Sequence, residues 1–175
     1  MDLNQIILDK PIIRALKSVL PKNATRYAID LVYVDKDKEE IVATDGRQLL
    51  LIKRDDTQPG HLIRNGELRT GLYTIVGTDT LCQQDNDSIF PDYHTVIPIT
   101  AKFICKNNDF LDGIIQCIAT AQVGIKVFAF AKTLKALNAL GATWKFFNDS
   151  PDKPVLMTAT QSGCIIQSVI MPFTI

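Results

Sequence analysis

The spacing of apolar and polar residues changes several times along this chain, and each spacing predicts an element. Residues 2–8 read as a short strand, after which Asp9 stands where a helix cap belongs and Pro11 falls in the first helical turn. Ile12, Ile13, Leu16, Val19 and Leu20 then recur at spacings of three and four, with Lys10, Arg14 and Lys17 on the other side. This predicts an amphipathic helix with a basic outer stripe, stopped by Pro21. Three β-rich runs follow at 27–34, 41–44 and 48–53, broken by the charged turn DKDKEE and by Asp45-Gly46. A further apolar run at 68–76 has strand character, but the flanking stretches 58–66 and 77–88 read as loops and leave its partner undefined.

The second half repeats the order. Residues 108–121 carry helical spacing through Phe110, Leu111, Ile114, Ile115 and Ile118, weakened by Gly113. Residues 125–130 alternate like a strand, 131–140 form a helical pattern that Gly141 ends, and 144–147, 155–160 and 164–171 alternate again. A strand, a helix and three strands thus occur twice, which points to an internal duplication. The expected fold class is α+β, a single domain in which two strand-helix-three-strand units share a core with helices on one side and sheet on the other. The units span roughly 1–54 and 125–175, joined by a divergent segment at 55–124.

Composition narrows the function. At 175 residues with 46% hydrophobic and 22% charged content, the chain can bury its own core. Nineteen basic and nineteen acidic residues leave no net charge, so contact with nucleic acid requires local clustering. Cys82, Cys105, Cys117 and Cys164 lie far apart without a C-x-x-C pair, and only His61 and His94 could complete a metal site. Buried thiols in a reducing compartment are the expected reading, with no metal and no cofactor, although the sequence leaves a disulfide open. An acidic amino terminus and the lack of a long apolar run make the cytoplasm the expected location. No phosphate loop, nucleophile elbow or histidine pair is present, and Asp45 and Asp92 read as turn or capping carboxylates. An enzyme is not expected.

Three segments stand out. Ala43-Thr44-Asp45-Gly46-Arg47 can be simply a tight hairpin turn, and Phe90-Pro91-Asp92-Tyr93 a rigid connection whose aromatics cover apolar surface. The carboxyl end, Val169-Ile170-Met171-Pro172-Phe173-Thr174-Ile175, is apolar throughout, and Pro172 argues against its continuing as an inner strand. Such a segment is packed in the core or left to bind something.

Taken in order, with the repeated units around them, these segments resemble the β subunit of bacterial DNA polymerase III, the sliding clamp. ATDGRQLL is similar to the family's ATDG-containing strand turn, FPDYHTVIP to its interdomain connector and SVIMPFTI to its apolar carboxyl-terminal tail. The resemblance covers residues 9–54, 90–98 and 125–175 and is faint elsewhere. A clamp of this family has three domains of two units each and pairs into a six-domain ring around duplex DNA; this chain has units for about one domain.

The resemblance implies a groove for short peptide motifs of polymerases, clamp loaders and repair proteins. By position it would use Ile29, Thr44, Gly46, Arg47, Gln48, Leu49, Pro91, Thr95, Val96, Val169, Ile170, Met171, Pro172, Phe173, Thr174 and Ile175. Ala28 departs from the family's aromatic, and Gln48 and Thr95 from its arginines. The resemblance also implies a DNA-facing helical surface carrying Lys10, Arg14, Lys17, Lys132 and Lys135, where the plain alternative is a solvated helix face.

The function expected is therefore that of a clamp-like protein binding peptide motifs, with contact between its helices and duplex DNA, without sequence specificity, as an accessory expectation. The alternatives are a ring-forming processivity factor, which requires self-association, and a decoy competing for clamp-binding peptides. The two helices should lie side by side. The turn, connector and tail should meet in one apolar groove with an open strand edge for the peptide backbone.

Overall fold

The computed structural model describes residues 4–21, 28–58, 61–85, 88–106, 127–141, 143–150 and 152–172. The first half holds β1 (Gln5–Ile7), α1 (Lys10–Val19), β2 (Val32–Asp35), β3 (Glu40–Thr44), β4 (Gln48–Arg54), β5 (Gly71–Val76) and β6 (Thr80–Gln83). The second holds β7 (Lys102–Lys106), α2 (Val127–Leu140), β8 (Trp144–Asn148), β9 (Val155–Gln161) and β10 (Cys164–Ile170). The ten strands of the described residues join one antiparallel sheet in the order β1-β6-β5-β2-β3-β4-β10-β9-β8-β7. The β2-β3-β4 and β8-β9-β10 meanders meet where β10 pairs with β4 from Cys164↔Arg54 to Ile170↔Gln48.

Both faces of the sheet centre are covered, and the pleat divides its side chains between two cores. Ile41, Ala43, Leu50, Ile52, Ile166 and Ile170 join the large core with Ile12, Ile13, Ala15, Leu16 and Val19 of α1 and Phe130, Ala136, Leu137 and Leu140 of α2. α1 and α2 pack against each other over that face. Val42, Leu49, Leu51, Leu156 and Val169 point the opposite way, into a second cluster closed by Tyr93 and flanked by Tyr33, Phe90, Val96, Ile97 and Phe147. A strand apolar on both faces, Leu49 to Ile52, is what such two-sided cover requires. The segment around residues 90–97 therefore straps the sheet opposite the helices.

Several sequence expectations change. Residues 28–30 form a short 3-10 turn and β2 begins at Val32. The strand expected at 125–130 is helical where it is described, since α2 begins at Val127. No breaker separates the two patterns, and Phe130 buries its ring 5.9 Å from that of Phe146. The loop-like stretch 77–88 contains β6, which pairs with both β1 and β5, and the faint stretch after 99 contains β7. Asp9 occupies the N-cap of α1 without a side-chain cap bond; its carboxylate instead lies 3.3 Å from Arg64 Nε. The helix expected at 108–121 lies outside the described residues, as do Cys117 and the side chain of Cys105. Cys82 and Cys164 are free thiols, and burial raises the Cys164 thiol pKa. Among the described residues no helix is long and apolar enough to cross a membrane, and no group of three or more His, Cys, Asp or Glu could hold a metal ion.

Candidate functional site

The β3–β4 turn is fixed by a set of local hydrogen bonds. Gly46 adopts φ 81°, a left-handed angle that glycine reaches without strain. Asp45 Oδ1 accepts the amides of Arg47 at 3.0 Å and Gln48 at 3.1 Å, and Thr44 Oγ1 accepts the Gly46 amide at 3.1 Å while donating to the Gln48 carbonyl at 2.7 Å. Across the turn the Met171 amide donates to the Arg47 carbonyl at 2.9 Å, fixing the end of β10 beside it.

Polar side chains tie the turn to the helix layer. Lys132 Nζ of α2 lies 2.9 Å from Asp45 Oδ2, which also accepts from Gln48 Nε2 at 3.2 Å. Thr133 Oγ1 donates to Gln48 Oε1 at 2.9 Å, and Ser168 Oγ to the Leu49 carbonyl at 3.1 Å. Burial raises the Asp45 carboxyl pKa, but the Lys132 hydrogen bond, the two backbone amides and the Lys132 charge outweigh burial and hold it below its ordinary value.

The strap is anchored by aromatics. Phe90 stacks on Tyr33 with ring centroids 5.1 Å apart and planes at 13°, and Tyr93 meets both rings at 6.1 and 6.3 Å. The Tyr93 hydroxyl donates to Glu40 Oε2 at 2.7 Å. Burial, then the hydrogen bond to Glu40 and its negative charge, raise the phenol pKa far above the ordinary tyrosine range. The Asp92 carboxylate accepts the His94 amide at 3.1 Å, and the Thr95 hydroxyl donates to the Asp92 carbonyl at 3.0 Å, turning the chain after Pro91.

Between turn, strap and tail lies an apolar cleft of about 180 Å³. That exceeds the ~150 Å³ cavity known to accept a benzene ring, so it has room for a large hydrophobic side chain. Of the residues carried over by position, Ile29, Thr44, Gly46, Gln48, Leu49, Pro91, Val96, Val169 and Met171 line it. The others do not. Arg47 is exposed on the turn, Thr95 is exposed beyond the cleft, Ile170 points into the helix-side core and Pro172 follows the last lining residue. Phe173, Thr174 and Ile175 lie outside the described residues.

Gln48 lines the cleft without offering it an amide group, because both ends of that group are engaged by Thr133 and Asp45 and the residue is 2% exposed. Phe90, Asp92 and Tyr93 also line it and were not foreseen as site residues, although an aromatic pair flanking Pro-Asp was the available signal. The floor strands β4 and β10 are hydrogen-bonded on both sides, so the open strand edge expected there is absent among the described residues.

On the helix side Lys10, Arg14, Lys17 and Lys135 are exposed, and Lys17 Nζ also donates to the Gly77 carbonyl at 2.6 Å. Lys132 departs from the DNA-facing expectation. Its side chain is 20% exposed, paired with Asp45 and 3.5 Å from the Val19 carbonyl, so it neutralises a partly buried carboxylate.

No protein-family model matches the chain, and no curated protein matches its sequence. Solved structures do match. A C. crescentus beta sliding clamp is 16% identical with a TM-score of 0.59, the match covering 100% of this chain and 66% of that one. The Helicobacter pylori beta clamp bound to a DNA ligase peptide is 14% identical with a TM-score of 0.57, covering 99% and 66%. The Bacillus subtilis DNA polymerase sliding clamp is 16% identical with a TM-score of 0.57, covering 99% and 64%. The class is therefore the DNA-clamp fold, a sheet backed, among the described residues, by two helices. Within that class the fold is that of bacterial β sliding clamps, of whose length the matches span just under two thirds.

Proposed function

We propose that this protein is a non-catalytic, clamp-like domain of two related units that works in the cytoplasm in DNA replication or repair. Its cleft captures short, extended peptides of a polymerase, clamp loader or repair protein. The observation that carries this reading is the convergence of three distant segments, the 44–49 turn, the 90–96 strap and the 169–171 strand end, on one apolar cleft. A clamp of the same fold has been solved with a DNA ligase peptide bound. Without an open strand edge the cleft takes an apolar side chain on the sheet face, and polar groups at its rim orient the peptide. Micromolar affinity corresponds to about 8 kcal/mol, within reach of a few anchored side chains.

Calorimetry with a peptide of the Gln-x-x-Leu-Phe type tests the reading. The expected result is micromolar to submillimolar binding that Leu49→Ala combined with Met171→Ala weakens by about 2 kcal/mol or more. No heat from the wild-type chain at near-millimolar peptide would reject it. Duplex DNA contact through Lys10, Arg14, Lys17 and Lys135 belongs to the same proposal as a weak, salt-sensitive accessory.

A further inference from the structure

The charge around the cleft bears on which peptides it accepts. Among the described residues Asp92 is the one lining residue with a formal charge. It is exposed, its Oδ1 accepts the His94 amide at 3.1 Å, and among the described residues no cation stands within ion-pair distance of it. The other acids nearby are already answered. Asp45 is paired with Lys132 at 2.9 Å, and Glu40 accepts the Tyr93 hydroxyl and lies 3.7 Å from His94 Nε2. Gln48 turns its amide into the protein, and the exposed Arg47 stands beside the cleft without lining it. A chain without net charge supplies no long-range field to override this local balance.

We propose that the cleft selects peptides carrying Lys or Arg next to the hydrophobic anchor and disfavours acidic ones, with Asp92 as the specificity-determining residue. The inference rests on the peptide-binding reading above. A cation held at the rim meets the Asp92 carboxylate beside low-dielectric walls, whereas a peptide carboxylate placed there meets a like charge. For a solvent-exposed pair the effect is about two- to fivefold in affinity and weakens as salt rises.

The test is competition anisotropy on the full chain with three end-capped peptides, Gln-Lys-Lys-Leu-Phe, Gln-Ser-Ser-Leu-Phe and Gln-Glu-Glu-Leu-Phe. The Lys peptide is expected to bind best and the Glu peptide worst. Asp92→Asn, which keeps the oxygen that caps His94, should collapse the ranking of the three peptides. Equal affinities for the wild-type chain, or a ranking that survives Asp92→Asn, would overturn the inference alone. Preference for the Glu peptide would also overturn it and point to Arg47. Failure of all three peptides to bind would overturn the groove reading and this inference with it.

Discussion

Tyr93 and Glu40 form a buried hydrogen bond between the strap and β3. Glu40 is 8% exposed, and its carboxylate accepts the Tyr93 hydroxyl while His94 stands 3.7 Å away. Tyr93→Phe keeps the ring packing and removes that donor, so urea unfolding should show a loss of about 1–3 kcal/mol, the usual result of leaving a buried acceptor short of a partner. An unchanged midpoint would mean that water replaces the hydroxyl. Asp45 makes a pH prediction. Its carboxyl pKa is lowered in the folded chain from an ordinary 3.8, so its contribution to stability is complete above that value and is lost as pH falls toward the lower folded pKa. Asp45→Asn should therefore flatten the acid limb of the stability profile below about pH 4 and lower stability at neutral pH. At this scale the sequence was only partly readable. The resemblance offered Leu49, Val96 and Met171 as candidates, and all three line the cleft, but the inward turn of Gln48 depends on Thr133, a partner distant in sequence that no local pattern identifies.

At the scale of elements, the tie between α2 and the β3–β4 turn decides how rigid one wall of the cleft is. Lys132 and Asp45 are 20% and 11% exposed at their side chains, so removing one partner leaves a charge largely out of water. Lys132→Met should destabilise the fold by about 1–3 kcal/mol, and the double change with Asp45→Asn should cost less than the sum of the single changes. Strict additivity in a double-mutant cycle would show the pair to be incidental. Long periodic elements such as α1, and the two meanders with turn residues between their strands, were legible because pattern and burial coincide. β6 was not, because four residues between turn signals acquire strand form only by pairing with β1 and β5. The start of α2 was missed for a related reason. Residues 127–130 alternate like a strand, but they continue into a helix whose apolar face packs on the sheet.

At the scale of the whole molecule, the sheet separates two surfaces, helices with exposed cations on one face and the aromatic strap with its cleft on the other. The helix side offers Lys10, Arg14, Lys17 and Lys135. If all four contact phosphates, affinity for duplex DNA should fall by roughly 100-fold between about 50 and 200 mM salt. Tight binding to linear duplex at physiological salt would contradict an accessory role for that face.

The measurement that tests the central claim most directly is amide chemical-shift mapping of the isotopically labelled chain titrated with a Gln-x-x-Leu-Phe peptide. The account predicts saturable shifts concentrated at Ile29, Thr44 to Leu49, Phe90 to Val96 and Val169 to Met171, with α1 unmoved. Absence of shifts at near-millimolar peptide, or shifts centred on the helix face, would contradict it.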